Sequence, residues 1–172
     1  MRGSTMSELR LAVEVPRWAG RFYLRHWAMI VGLSLIGSVQ RLVAVNWGLP
    51  GPLGFASEVV VMAARVLLVV LIWRWGTRGE RLRWANAREF AARHWGSLVW
   101  QVVLLSVAFA VFDLGAEQVV GGLLPESARQ TYLAVLLFVK NPTVIAFTFV
   151  WWVGLVRQVA VSRAPVGSAA RR

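Results

Sequence analysis

The chain has 172 residues, 58% of them hydrophobic and 16% charged, with a net charge of +11. Such an apolar composition excludes an ordinary soluble domain of this length and points to a membrane protein. The charge alone would suit nucleic acid, but the basic residues lie between apolar runs, as in membrane proteins, so no nucleic-acid partner is expected. Without cysteine there are no disulfides, thiolate metal sites, iron–sulfur clusters or cysteine nucleophiles.

Residues 1–26 form a basic segment. The opening MRGST reads as an expression leader, with native translation expected from Met6. Glu8, Glu14 and Pro16 are unlike a cleavable signal peptide. Arg17, Arg21 and Arg25 fall on one helical stripe beside Trp18 and Phe22. This predicts an amphipathic helix lying along anionic lipid headgroups.

A membrane domain is expected over 27–161, with crossings at about 27–49, 55–75, 97–117 and 143–161. Trp27 and Trp47 are about 30 Å apart on a helix, the thickness of the hydrocarbon core, and read as two aromatic belts. GLPGPLG is a tight turn; it lacks the Lys-Ser/Thr and preceding strand of a phosphate cradle. The second run closes on Trp73 and Trp75. The loop TRGERLRWANAREFAARHW predicts a short helix, with Glu89 and Arg93 in the favourable i, i+4 order. The third run begins near Trp95 and Trp100 and ends at Asp113 and Glu117.

Ser127 and Gln130 have the spacing of a capping box opening a stretch too long for one perpendicular crossing. Asn141-Pro142 offers a break. Residues 128–139 are therefore expected as a separate short helix and 143–161 as the crossing, with one long kinked helix as the alternative. Residues 162–172 form a basic tail.

Arginine is concentrated in 1–26, in 74–93 and in the tail, whereas 46–57 carries no charge and 113–131 carries three acids and one arginine. The positive-inside rule then places both termini and the middle loop in the cytoplasm, with four crossings of the cell membrane between them.

The two histidines share one setting, FYLRHW at 22–27 and FAARHW at 90–95. The triplets Arg25-His26-Trp27 and Arg93-His94-Trp95 each open a crossing on the same side. They suggest a two-plus-two parallel repeat, or a shared interfacial chemistry in which arginine snorkels and tryptophan marks the boundary. A b-type haem held by His26 and His94 is the alternative, but both histidines follow an arginine at the water boundary, so no cofactor or metal is expected.

Ionisable groups at membrane depth are costly, so Arg41, Glu58 and Arg65 draw attention. Glu58 and Arg65 share a face of the second crossing; Ser34, Gly37, Ser38 and Arg41 share a face of the first, with Gln40 beside them. These residues are expected to form a polar seam between the two helices, completed by Asp113 and Glu117. No paired carboxylates, HExxH or serine elbow occur, so no catalytic residue is expected. The sequence thus predicts an all-α membrane protein that is non-enzymatic and transport-associated. It would sit as a homo-oligomer or within a larger membrane complex. Accessory-subunit and haem-carrier roles are the alternatives.

Overall fold

The computed structural model describes residues 2–48 and 50–161; the basic tail at 162–172 lies outside them, as does the side chain of Glu117. The described chain is all-helical: α1 (Arg2–Arg25), α2 (Trp27–Trp47), α3 (Gly51–Gly76), α4 (Trp84–Arg93), α5 (Trp95–Leu123) and α6 (Glu126–Ala160). Four of them, α2, α3, α5 and α6, are long and apolar enough to cross a membrane. Only α1 and α4 are amphipathic and basic.

The α2–α3 hairpin turns at Gly48 (φ +62°), a backbone conformation suited to glycine, and Pro50 opens α3. Its helices pack through small residues: a Cβ on Gly37 would lie 3.4 Å from Val61 Cγ1. From α3, Val61, Ala64, Leu68 and Ile72 form the buried stripe at i, i+3, i+4 spacing.

The last crossing departs from the expected two pieces. Helix α6 is continuous for 35 residues, about 52 Å, and opens at Pro125 with no side-chain cap, so Ser127 is not a capping residue. Proline is absorbed by a π-type turn over Asn141–Ile145 instead of ending the helix. Helix α5 carries a second π-type stretch, Val111–Val120. Helix α5 thus loses regular α geometry in the half farther from the basic loop, and α6 at its midpoint.

The first helix is amphipathic as expected, and its face Ala12, Val15, Ala19 and Phe22 is buried against the bundle. Its contacts descend α6 in antiparallel order. Leu11 O accepts a bond from Gln158 Nε2 at 2.8 Å, Trp18 packs on Gly154, and Tyr23 reaches Phe147 and Pro142. The amphipathic pattern was real, but protein takes the place of lipid on its apolar face, while Arg10, Arg17, Arg21 and Arg25 stay exposed. Gly154 permits this approach: a Cβ there would stand 2.6 Å from Trp18 Cε3.

Beneath the bundle, Arg83 N donates to Ala160 O at 2.8 Å, and Leu82 and Val161 form an isolated antiparallel bridge. Arg157 meets Glu80 at 2.5 Å. One end of the molecule thus gathers α1, the arginine-rich loop and the start of α5; it is called the basic end below.

Candidate functional site

The repeated FxxRHW stretches build one local structure twice. His26 and His94 are single-residue joints between a basic helix and an apolar one, with nearly the same backbone (φ −118°, ψ 22° and φ −128°, ψ 35°). In each, the histidine N–H donates to the phenylalanine four residues earlier: His26 to Phe22 O at 3.0 Å, His94 to Phe90 O at 2.7 Å. The rings follow, with Phe22–His26 and Phe90–His94 centroids 4.6 and 5.1 Å apart. The triplets therefore mark a helix–joint–helix bend.

Their tertiary surroundings differ. His26 lies between Phe22 and Trp75, whose ring is 4.8 Å away. Burial, then the Arg25 charge, lowers its pKa below the usual histidine value. His94 Nδ1 meets Glu8 Oε1 at 2.9 Å, and the other Glu8 oxygen accepts from Ser97 N at 2.9 Å. A carboxylate from α1 thus caps the N-terminus of α5, where an anion is favoured.

The expected seam is assembled in part. Gln40 Nε2 donates to Ser57 Oγ at 3.2 Å, pinning α2 to α3 at one depth. Arg41 stands one turn beyond Gly37 toward the hairpin, Glu58 one turn beyond Val61, and Arg65 one turn to the other side of Val61. The three charges share the face where Gly37, Val61 and Asn141 meet. They do not pair: among the described residues Glu58, Arg65 and Arg41 make no ion pair, and all three are exposed. The reason is spacing, since Glu58 and Arg65 are about 10 Å apart along the axis. Arg65 instead borders a cavity of about 20 Å³ with Ser34, Gly37 and Asn141. Ser34 Oγ is buried there with no hydrogen-bond partner.

Three polar contacts of α6 explain how its π turn is tolerated. Pro142 has no N–H, so the Phe138 carbonyl loses its helical donor. Ser38 Oγ of α2 supplies one at 2.7 Å. Tyr23 Oη of α1 donates to Pro142 O at 2.5 Å, and burial raises its pKa, keeping the phenol a donor. Thr143 Oγ1 donates to Val139 O at 2.7 Å.

Next to this turn is a pair the sequence reading did not single out. Lys140 Nζ bonds Asp113 Oδ1, joining the π-distorted stretches of α5 and α6. Lys140 lies about 25 Å of helix from Arg157, well inside the apolar stretch. Its signal was compositional: it is the only lysine in a chain otherwise charged by arginine. Asp113 was placed in the α2–α3 seam, but it faces α6.

Comparison with known protein families, with curated proteins and with solved structures gives no match.

Toward the basic end, a buried amide relay ties three helices. Gln158 Nε2 donates to Leu11 O, Gln101 Nε2 to Gln158 Oε1 at 2.8 Å, and Trp151 Nε1 to Gln101 Oε1 at 3.2 Å. Gln101 is fully buried, and both amides use an oxygen and a nitrogen. Between this relay and the Asp113–Lys140 pair, α5 stands off α6. An apolar cleft of about 490 Å³ opens there, lined by Phe109, Phe112, Phe147 and Tyr23 among others.

Proposed function

We propose that the chain is a non-enzymatic, multi-pass protein of the cytoplasmic membrane, with both ends inside, acting as a transport-associated subunit. The observation that carries this reading is the convergence of charged groups on one deformable turn. Asn141–Ile145 has Lys140–Asp113 on one side and Arg65 with Ser34 and Asn141 on the other, all in helices apolar enough to span a bilayer. Charges at such depth are costly, and π turns recur where helices must move or bind. The groups able to feel a passing ion or proton therefore sit where α6 is least regular.

Exposed Arg41, Glu58 and Arg65 favour a partner, since a lone bundle would present them to hydrocarbon. A second copy or a larger complex would cover them, and an accessory role in such a complex is the second reading. The matched His26 and His94 joints support a repeat in which each half is a basic helix followed by a hairpin of two crossings.

The test is proton and chloride flux in proteoliposomes. These would contain the protein with whatever membrane partners stay bound in mild detergent, and would be compared with Lys140→Met in the same assembly. Flux that falls with Lys140→Met while the assembly stays intact supports the transport reading. Equal flux in both, or none in either, favours the accessory role.

A further inference from the structure

A further cavity, away from the intramembrane charges, holds about 780 Å³ at the basic end, between α1, the loop and the foot of α6. Its charged lining is Arg17, Arg21 and Arg157 against Glu14 and Glu80. Arg157 and Glu80 neutralise each other at 2.5 Å, and the Arg157 guanidinium lies 5.4 Å over the Trp18 ring. That leaves Arg17 and Arg21, one helical turn apart and exposed, with no ion pair or hydrogen bond among the described residues. Glu14 has a partner of its own.

The level of the cavity is set by tryptophan. Trp18 in its wall packs on Gly76, and Trp75, one residue away, makes a tilted ring contact with His26. Trp27, Trp73, Trp84 and Trp95 are exposed around the same end. Such a ring marks the headgroup layer of a bilayer. Two unpaired guanidiniums at i, i+4 spacing present forked donors matched to phosphate oxygens, in a layer where phosphodiesters are the abundant anions. Val15, Trp18, Gly154 and Val161 give the same hollow an apolar wall for the glycerol side of such a group.

We propose that this cavity binds a phosphate group, namely the phosphodiester of one anionic phospholipid, held by Arg17 and Arg21. The Arg157–Glu80 pair and Trp18 shape its wall. This rests on reading the chain as membrane-embedded with its basic end in the headgroup layer, but not on transport, so the readout is binding alone.

The experiment is native mass spectrometry of the detergent-solubilised full chain with phosphatidylglycerol, with phosphatidylcholine of the same chains, and with soluble glycerol 3-phosphate. One phosphatidylglycerol should be retained, at least about tenfold tighter than phosphatidylcholine. Arg17→Gln with Arg21→Gln should lose about tenfold of that affinity. Arg10→Gln with Arg25→Gln, on the same basic stripe but outside the cavity lining, should change it less than about threefold. All four are exposed, so neither pair threatens the fold. Arg17→Lys with Arg21→Lys keeps the charge and should still lose affinity if the guanidinium fork matters. Equal losses from both Gln pairs would reduce the binding to diffuse charge attraction and overturn the site. Glycerol 3-phosphate binding as tightly as the lipid would overturn the lipid as its source. No retained lipid in the wild-type chain would overturn the proposal outright.

Discussion

Ser38 and Ser34 sit one turn apart on α2, yet the structure assigns them opposite weights. Ser38 is fully buried and gives its hydroxyl to Phe138 O, the carbonyl that Pro142 orphans. Ser34 Oγ faces the small cavity with no partner. Removing a donor from a buried carbonyl costs about 1–3 kcal/mol, whereas removing an unsatisfied hydroxyl is nearly neutral. Ser38→Ala should therefore lower the thermal unfolding midpoint in detergent, and Ser34→Ala should leave it within error. Equal effects would mean that the π turn does not depend on α2. The sequence showed both serines as small residues for helix packing. It did not show which was a donor, because that depends on a carbonyl a hundred residues away. Lys140 was not legible for another reason: it lies two residues before Pro142, where the sequence predicts the end of a helix instead of a charge within one.

Among the elements, α2, α3 and α5 were legible because hydropathy and tryptophan spacing report on water and lipid, which act locally on every helix. Helix α6 was not, since Asn141-Pro142 breaks a helix only where its freed carbonyls stay unsatisfied. Here Ser38 and Tyr23, from α2 and α1, satisfy them. The partner of α1 was hidden likewise: its apolar stripe fits lipid or protein, and the decision lies in Gly154, which leaves space for Trp18. The Asp113–Lys140 pair joins α5 to α6 at the far side of the cleft from the glutamine relay. Either single neutralisation, Asp113→Asn or Lys140→Met, leaves one member of this contact without the other, and the double substitution removes both. The singles should thus each destabilise by several kcal/mol and the double by less than their sum. A double-mutant cycle on thermal stability measures the coupling. Strict additivity would show that the pair is not held in solution. The same cycle on Glu58 and Arg65 should show little coupling, because those residues form no ion pair.

The whole molecule sorts its charges by end, and the contacts that do so do not depend on any membrane. Glu8 binds His94, Glu80 binds Arg157, and Arg83 N bonds Ala160 O, so α1, the middle loop and the foot of α6 occupy one end. The α2–α3 turn and the α5–α6 turn, with Glu126 and Arg129, therefore lie at the other. The proposed orientation, in which arginine is retained in the cytoplasm, makes the basic end the inner one. The absence of native cysteine allows single-site labelling. Gly51 is exposed, with nothing within 4 Å of an added Cβ, and Ser127 and Ala85 are exposed as well. Gly51→Cys and Ser127→Cys should react with a membrane-impermeant maleimide in intact spheroplasts, and Ala85→Cys only after permeabilisation. The reverse pattern would keep four crossings and invert them, which would move the proposed lipid site to the outer leaflet. Labelling of Gly51 and Ala85 from the same side would mean that α3 does not cross. The intramembrane setting of Arg65 would then be lost with it, because the cost of that charge exists only if the helix carrying it is surrounded by hydrocarbon.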